Sequence, residues 1–332
     1  MSDDIQHECG VTLLRLRRNL TYYARKYGSP YYGYEKLSLL LEKQHNRGQD
    51  GAGIACVGLD TSPGRPFYEV ERSCAQPALD DLLARLGERL AAAQREHAGI
   101  PAETLAKRES LALPLCGELY LGHLRYGTFG TRSLAACHPF VRHSTWRNHA
   151  LLLAGNFNLT NTGALFDELV EGGHHLGSRQ DSEILLALLA HCLEKMPATD
   201  DGLESRDIPA LLRAAAAEWD GGFVICGALG NGDAFALRDA AGIRPAYYYF
   251  DDEIAVVASE RVAIQTTFDI PTADVAELPP GHAVVVLRNG DVSIQRILPE
   301  ATPRRCVFER IYFSRGNDAD IHRERRALGR AL

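Results

Sequence analysis

The sequence predicts an α+β fold in which antiparallel sheets carry helices on their outsides. Three observations predict it. Strand-like runs come in blocks and helix-like runs come in blocks, where alternating βαβ units would interleave them. From Gly221 onward the pattern turns to strands, GGFVICGAL, DAFALRD, AYYYF and EIAVVAS. The segment HAVVVLRNGDVSIQRI then reads as a hairpin with Asn289-Gly290 at its turn, a pair that accepts the positive φ angles of a two-residue loop.

The elements follow in order. Residues 10–16 (GVTLLRL) form a short apolar strand. Residues 17–33 are basic and tyrosine-rich, and a helix follows from about Tyr34 to His45. Residues 75–115 open with a long helical pattern, ALDDLLARLGERLAAAQREH, then a polar stretch broken by Pro101 and Pro114. Strands resume at GELYLGHLRY and HALLLAGNF. Apolar residues recur at helical spacing over 181–195 and 208–219. The last residues are charged and helical in character, and they reach Leu332 without a capping signal.

Length and composition bound the function. A chain of 332 residues holds one large domain or two smaller ones. With 45% hydrophobic and 24% charged residues, a folded soluble protein is expected. A net charge of −7 gives no reason to expect nucleic acid or an anionic membrane as a partner. No run approaches the ~18 apolar residues of a membrane span. The start, Met1-Ser2-Asp3-Asp4, is acidic with no apolar stretch behind it, the reverse of a secretory signal, so a cytoplasmic protein is expected. The eight cysteines are scattered without a CxxC pair and are no disulfide framework; most should be small buried apolar residues.

Polar groups stand beside strand ends or helix starts at GHLRYGTFG, GNFNLTN and RQDSEILL, where they can converge on a small ligand. Cys137-His138 and His123 have no second ligand pair at zinc spacing, so a buried cysteine with polar histidines is the reading there. His174-His175 reads as a solvated loop.

QHNRGQDGAGI, GHLRYGT, NFNLTN, DSEILL, RDAAGIRP, VASE and CVFERIYFSR, in that order, resemble the amidophosphoribosyltransferases, the first enzymes of purine synthesis. The resemblance runs from Glu8 to about Asp320. It implies a four-layer α/β/β/α sandwich of the N-terminal-nucleophile hydrolase type. It also implies a domain plan: a propeptide over 1–8, a class II glutamine amidotransferase domain over 9–305, and over 306–332 a linker and the start of a phosphoribosyltransferase domain. That second domain, absent from this chain, would bind phosphoribosyl pyrophosphate and magnesium. No cofactor is expected in the chain itself. Cys306 falls where some family members ligate an iron–sulfur cluster, but their other ligands lie in the transferase half. A homo-oligomer is expected.

The site roles carry over by resemblance. Cys9 would attack the side-chain amide of glutamine, with its own freed α-amine as base, since an α-amino group titrates at roughly 8. Arg125 would fork onto the substrate α-carboxylate, with Thr128 of the same motif also binding substrate. Asp181 would pair with the α-ammonium and could also cap its helix. The Asn156 side chain and the Phe157 N–H would hold the oxyanion. The sequence departs from the family at Phe157, where glycine is usual, at Gly127, where RYPT becomes RYGT, and at Asn46, an extra residue in QHRGQD. The stretch at 75–115 is longer than the family leads one to expect. Two alternatives stay open: a glutaminase serving another acceptor, and a catalytically silent paralogue that binds a partner or metabolite.

The leader bears directly on mechanism. Removal of Met1 alone would leave Ser2 first, and a cysteine inside a chain has no α-amine. Residues 1–8 are therefore expected to be cut at Glu8–Cys9, the thiol attacking the preceding carbonyl and water resolving the ester.

Overall fold

A computed structural model describes residues 8–127, 133–197 and 201–332. Its elements are β1 (Gly10–Leu16), α1 (Leu20–Tyr27), α2 (Tyr32–Lys43), β2 (Gly51–Val57), β3 (Tyr68–Ser73), α3 (Ala78–Glu96), α4 (Ala102–Leu105), β4 (Leu119–Arg125), β5 (Phe140–Arg142), β6 (Leu151–Leu159), α5 (Thr162–Glu171), α6 (Asp181–Lys195), α7 (Ile208–Ala215), β7 (Gly221–Leu229), β8 (Ala234–Arg238), β9 (Tyr247–Phe250), β10 (Ile254–Ala258), α8 (Arg261–Phe268), β11 (Ala276–Glu277), β12 (His282–Val286), β13 (Val292–Arg296) and α9 (Ala319–Ala331). No helix among the described residues is long and apolar enough to cross a membrane.

The strands form two antiparallel sheets. One has the order β11-β9-β10-β1-β4-β2-β3 and the other β13-β12-β8-β7-β6-β5. Period-2 alternation gives each strand two apolar faces with different destinations. In β1, Val11 and Leu13 point inward and meet Leu152, Ala154 and Val224 of the second sheet. Leu14 and Leu16 point outward onto α1 and α2, alongside Leu37, Leu40 and Leu41. The second sheet does the same with Leu151, Leu153 and Phe223 against α5, α6 and α7. The result is helix, sheet, sheet, helix, as the resemblance implied. Strands buried on both sides explain the near-continuous apolar runs of β1 and β7.

Two local readings gain detail and one needs correction. The tyrosine-rich stretch contains α1: Asn19 caps it by accepting the Tyr22 N–H, and Gly28 ends it at φ 76°. The second helix starts at Tyr32 and stops at Lys43. The β12–β13 connection is not a two-residue turn. The Gly290 N–H donates to the Leu287 carbonyl, and the Leu287 N–H donates to the Asp291 carbonyl. Only Gly290 has positive φ, 91°, so the loop carries an extra residue and needs left-handed backbone at one position.

Residues 306–332 pack back onto the first sheet's side of the molecule. Glu309, Phe313 and Ile321 in this segment are buried.

Candidate active site

Cys9 stands one residue before β1, a central strand of its sheet. Pairing Gly10 with Leu124 and Gly51 with Arg125 brings Cys9, Arg125 and the start of β2 to one sheet end. Arg125 follows Leu121 and His123 on the inward face of β4, and Asn156 follows Leu152 and Ala154 on the inward face of β6. The structure therefore directs Cys9, Arg125 and Asn156 into the space between the sheets at the same end.

The cysteine is held by one backbone donor and one side-chain donor. The Tyr126 N–H donates to Cys9 Sγ at 3.3 Å, and Arg47 Nε donates to the Cys9 carbonyl at 3.2 Å. Burial pushes the thiol up to about 11; the Tyr126 hydrogen bond, Arg244 and Arg125 pull it down, and Glu8 adds to the rise. Glu8 is ion-paired with Arg244.

Arg125 is buried. A Cβ on residue 127 would stand 3.0 Å from its Nη1, so Gly127 leaves the guanidinium room. The Gly127 N–H donates to Asp50 Oδ2 at 3.0 Å, a bond that proline could not make. The departure from RYPT thus has a local physical account. Thr128 lies outside the described residues.

Asn156 is 2% exposed, and its Nδ2 has no hydrogen-bond partner among the described residues. A buried amide donor left open is costly unless something accepts from it, so this group can donate to a ligand or a water. Phe157 turns its ring the other way, into the outer core with α6. Its backbone needs no glycine: among the described residues the non-glycine positions with positive φ are Leu111, Leu115 and Asp269. The Gly155 N–H and carbonyl both point off β6 on the side away from β7, to His138 and His123. Antiparallel alternation turns the Phe157 N–H to that same edge.

Asp181 opens α6, whose Leu185 and Leu189 pack against the outer face of β6. Burial raises its carboxyl pKa, and the Ser182 N–H donates to it. It is not the cap: Gln180 holds that position and makes no side-chain cap bond.

The motifs quoted without roles turn out to build the support. Arg47 of QHNRGQD is fully buried and donates to Glu260 at 3.0 Å and to both oxygens of Glu309 at 2.6 Å. Gln44 of the same motif donates to Thr12 of β1 and accepts from the Ser259 N–H, while Ser259 Oγ accepts from the Val11 N–H. Asp239 of RDAAGIRP accepts the N–H groups of Phe223, Ala241, Ile243 and Arg244, which shapes the loop presenting Arg244. Among the described residues no three His, Cys, Asp or Glu side chains gather as a metal site.

Residues 135–266, which include Asn156, Phe157 and Asp181, match the glutamine amidotransferase domain family. The chain is similar to the amidophosphoribosyltransferase of Haemophilus influenzae, 29% identical over 288 residues, covering 85% of this chain and 48% of that protein. The Escherichia coli amidophosphoribosyltransferase is 31% identical over 208 residues, covering 60% of this chain and 39% of that one. The chain thus spans about half the length, or less, of these curated relatives. Among solved structures, the Bacillus subtilis glutamine phosphoribosylpyrophosphate amidotransferase, complexed with ADP and GMP, superposes with a TM-score of 0.65 at 21% identity, over 97% of this chain and 57% of that one. A structure described as the allosteric regulatory enzyme of purine biosynthesis gives 0.68 at 21% identity, with the same coverage. These likenesses support the fold, a four-layer α/β/β/α sandwich.

Proposed function

We propose that the chain is the glutamine-hydrolysing part of an amidophosphoribosyltransferase, with Cys9 as nucleophile. The observation that carries this reading is the convergence of Cys9, Arg125 and the open amide of Asn156 at one end of two facing sheets. The Cys9 sulfur attacks the glutamine side-chain carbonyl, and the Asn156 amide and Phe157 N–H hold the resulting oxyanion. The tetrahedral adduct collapses to a thioester as ammonia leaves with the proton taken from the thiol. Water then cleaves the thioester, giving glutamate and the free thiol. Arg125 binds the α-carboxylate, Asp181 the α-ammonium, and Thr128 completes the substrate contacts. The ammonia passes to phosphoribosyl pyrophosphate to make phosphoribosylamine for purine synthesis.

With Glu8 still attached, Cys9 has no α-amine and its thiol titrates at about 11. Roughly one molecule in ten thousand would be thiolate at neutral pH. Cutting at Glu8–Cys9 supplies the base and also removes the Glu8 carboxylate, leaving the Arg244 charge beside the nucleophile. Residues 1–8 are accordingly a propeptide in this reading.

Intact mass and a glutaminase assay on the same preparation test it. The active protein should be lighter by Met1–Glu8, and Cys9→Ala should keep the leader and lose all glutamine hydrolysis. Full activity from protein that retains the leader would sink the mechanism. Deletion of the gene should cause a growth requirement relieved by purines. Growth without purines would remove the acceptor assignment and leave the glutaminase one.

A further inference from the structure

We infer that His123 and His138 are positioning residues that set the Gly155–Asn156–Phe157 backbone as the oxyanion-holding edge, acting through the Gly155 peptide groups. The inference rests on the glutaminase reading above and names what that reading lacks, the groups that hold the donors in place.

The two rings stack with centroids 4.0 Å apart and planes 17° from parallel. His123 Nε2 stands 3.0 Å from the Gly155 carbonyl oxygen, and His138 Nδ1 stands 3.1 Å from the Gly155 nitrogen. These contacts assign the tautomers. A ring nitrogen facing a carbonyl must carry its proton, so His123 is protonated at Nε2. One that accepts from an N–H must be bare, so neutral His138 is protonated at Nε2 as well. Both residues are buried, and burial drives His123 down to about 3 and His138 well below the ordinary histidine range. The pair is neutral at physiological pH.

Strand β5 pairs with β6 only as far as Phe140 opposite Leu153. Beyond that point the outer edge of β6 would need another strand. The two histidines take over Gly155 instead, and two residues on, at Phe157, no further strand pairs with that edge among the described residues. Fixing the Gly155 carbonyl fixes the plane of the Gly155–Asn156 peptide, and hence the direction in which Asn156 Cβ leaves the strand. A side chain at 155 has no room, since a Cβ there would come within 2.6 Å of the Phe157 ring and 2.8 Å of the Val224 oxygen. His123 belongs to β4, two residues before Arg125, so its bond to Gly155 spans the two sheets. One bond therefore sets the donor strand relative to the arginine assigned to the substrate.

The test uses leader-free protein and three readouts: glutamine KM and kcat, alkylation of Cys9 by iodoacetamide, and inhibition by glutamate γ-semialdehyde. The thiolate adds to that aldehyde to form an oxyanion without a leaving group. His123→Leu and His138→Leu should each lower kcat about 10- to 100-fold and weaken the aldehyde by the same factor, with KM and the alkylation rate within twofold of wild type. His123→Gln, which keeps a donor, and His138→Gln, which keeps an acceptor, should recover to within about threefold. If the leucine variants do not fold, His123→Asn, whose donor falls short of Gly155, replaces them in the comparison with glutamine. Unchanged kcat in the leucine variants, a kcat loss with unchanged aldehyde affinity, or no recovery by glutamine would overturn the assignment. Wild-type protein that alkylates at Cys9 yet does not hydrolyse glutamine would instead overturn the glutaminase reading itself.

Discussion

The Cys9 wall of the cleft is braced by charge, whereas the Asn156 wall is braced by neutral rings. On the first side, Arg47 ties the Cys9 carbonyl to Glu260 and Glu309, joining three distant segments of chain through one guanidinium. On the second, two histidines grip a single residue, Gly155, with one hydrogen bond to each of its flanking peptide units. The difference teaches what each wall needs. The start of β1 is fastened to distant segments of the molecule, and a buried forked cation can reach several of them at once. At the β6 edge the Gly155 N–H and carbonyl are instead set by two side chains that burial keeps neutral.

The largest effect should come from cutting the ionic brace. Arg47→Ala leaves two carboxylates, 3% exposed each, with no cation between them. Breaking a buried pair by removing one partner costs about 3–5 kcal/mol. Urea unfolding of the whole chain should show a loss of that size. Glu309→Gln should cost less, because Arg47 keeps Glu260. A loss under about 1 kcal/mol for Arg47→Ala would mean that the brace is solvated in solution, and the contrast between the walls would fail.

The neutral brace should reveal itself through acid. The folded-state pKa of His123 lies at about 3, below its ordinary 6.5, through burial first and the nearby Arg125 charge second, against the pull of the Gly155 carbonyl. His138 moves the same way under burial, His123, Arg125 and Arg72. Between the two pKa values the unfolded chain takes a proton that the folded chain refuses, so stability falls as pH drops through this window. For His123 alone the loss between pH 7 and pH 5 should be about 2 kcal/mol. His123→Gln should therefore show a shallower fall than wild type in urea unfolding over that range. Identical slopes would mean that the ring is charged or hydrated when folded.

This contrast also explains which parts of the molecule were legible. The layers were, because their signal is periodic: β7 and α6 begin and end where their apolar patterns do. The sheet ends that bear Cys9 and Asn156 were legible through motifs of mixed chemistry. The braces were not, although Arg47, Glu260 and Glu309 all lie inside quoted motifs. A buried ion pair between residues 262 positions apart leaves no spacing to read. The signal that pointed there was an arginine and two glutamates recurring in matched segments with no substrate role to absorb them. His123 and His138 were read as polar residues near a buried cysteine; the structure buries both, and their partner is the Gly155 backbone, which sequence cannot display. The hairpin turn failed for a local reason, since Asn-Gly also fits a loop in which only glycine turns left-handed.

The smallest effect, and the finest probe of the ionic wall, lies at its rim. Asn46, the residue by which the chain departs from QHRGQD, donates Nδ2 to Glu260 at 3.2 Å and to the Phe313 carbonyl at 2.9 Å. Its Oδ1 accepts from Arg315 Nε at 3.0 Å, and the Arg315 N–H donates to the second oxygen of Glu260 at 3.0 Å. The insertion therefore stitches residues 313–315 to the same glutamate that Arg47 holds. Each such bond contributes about 1 kcal/mol net, and Asn46 is only partly buried, so water replaces part of what is lost. Asn46→Ala should cost about 1 kcal/mol in urea unfolding. Because Arg315 Nε donates to Asn46 Oδ1, either mutation removes the same bond, so Asn46→Ala and Arg315→Ala should not add; a double-mutant cycle should return a coupling of about 0.5–1 kcal/mol. Additive losses would separate the rim from the brace. A cost near that of Arg47→Ala would show the fastening to be spread over the whole C-terminal segment, and no longer concentrated in one guanidinium.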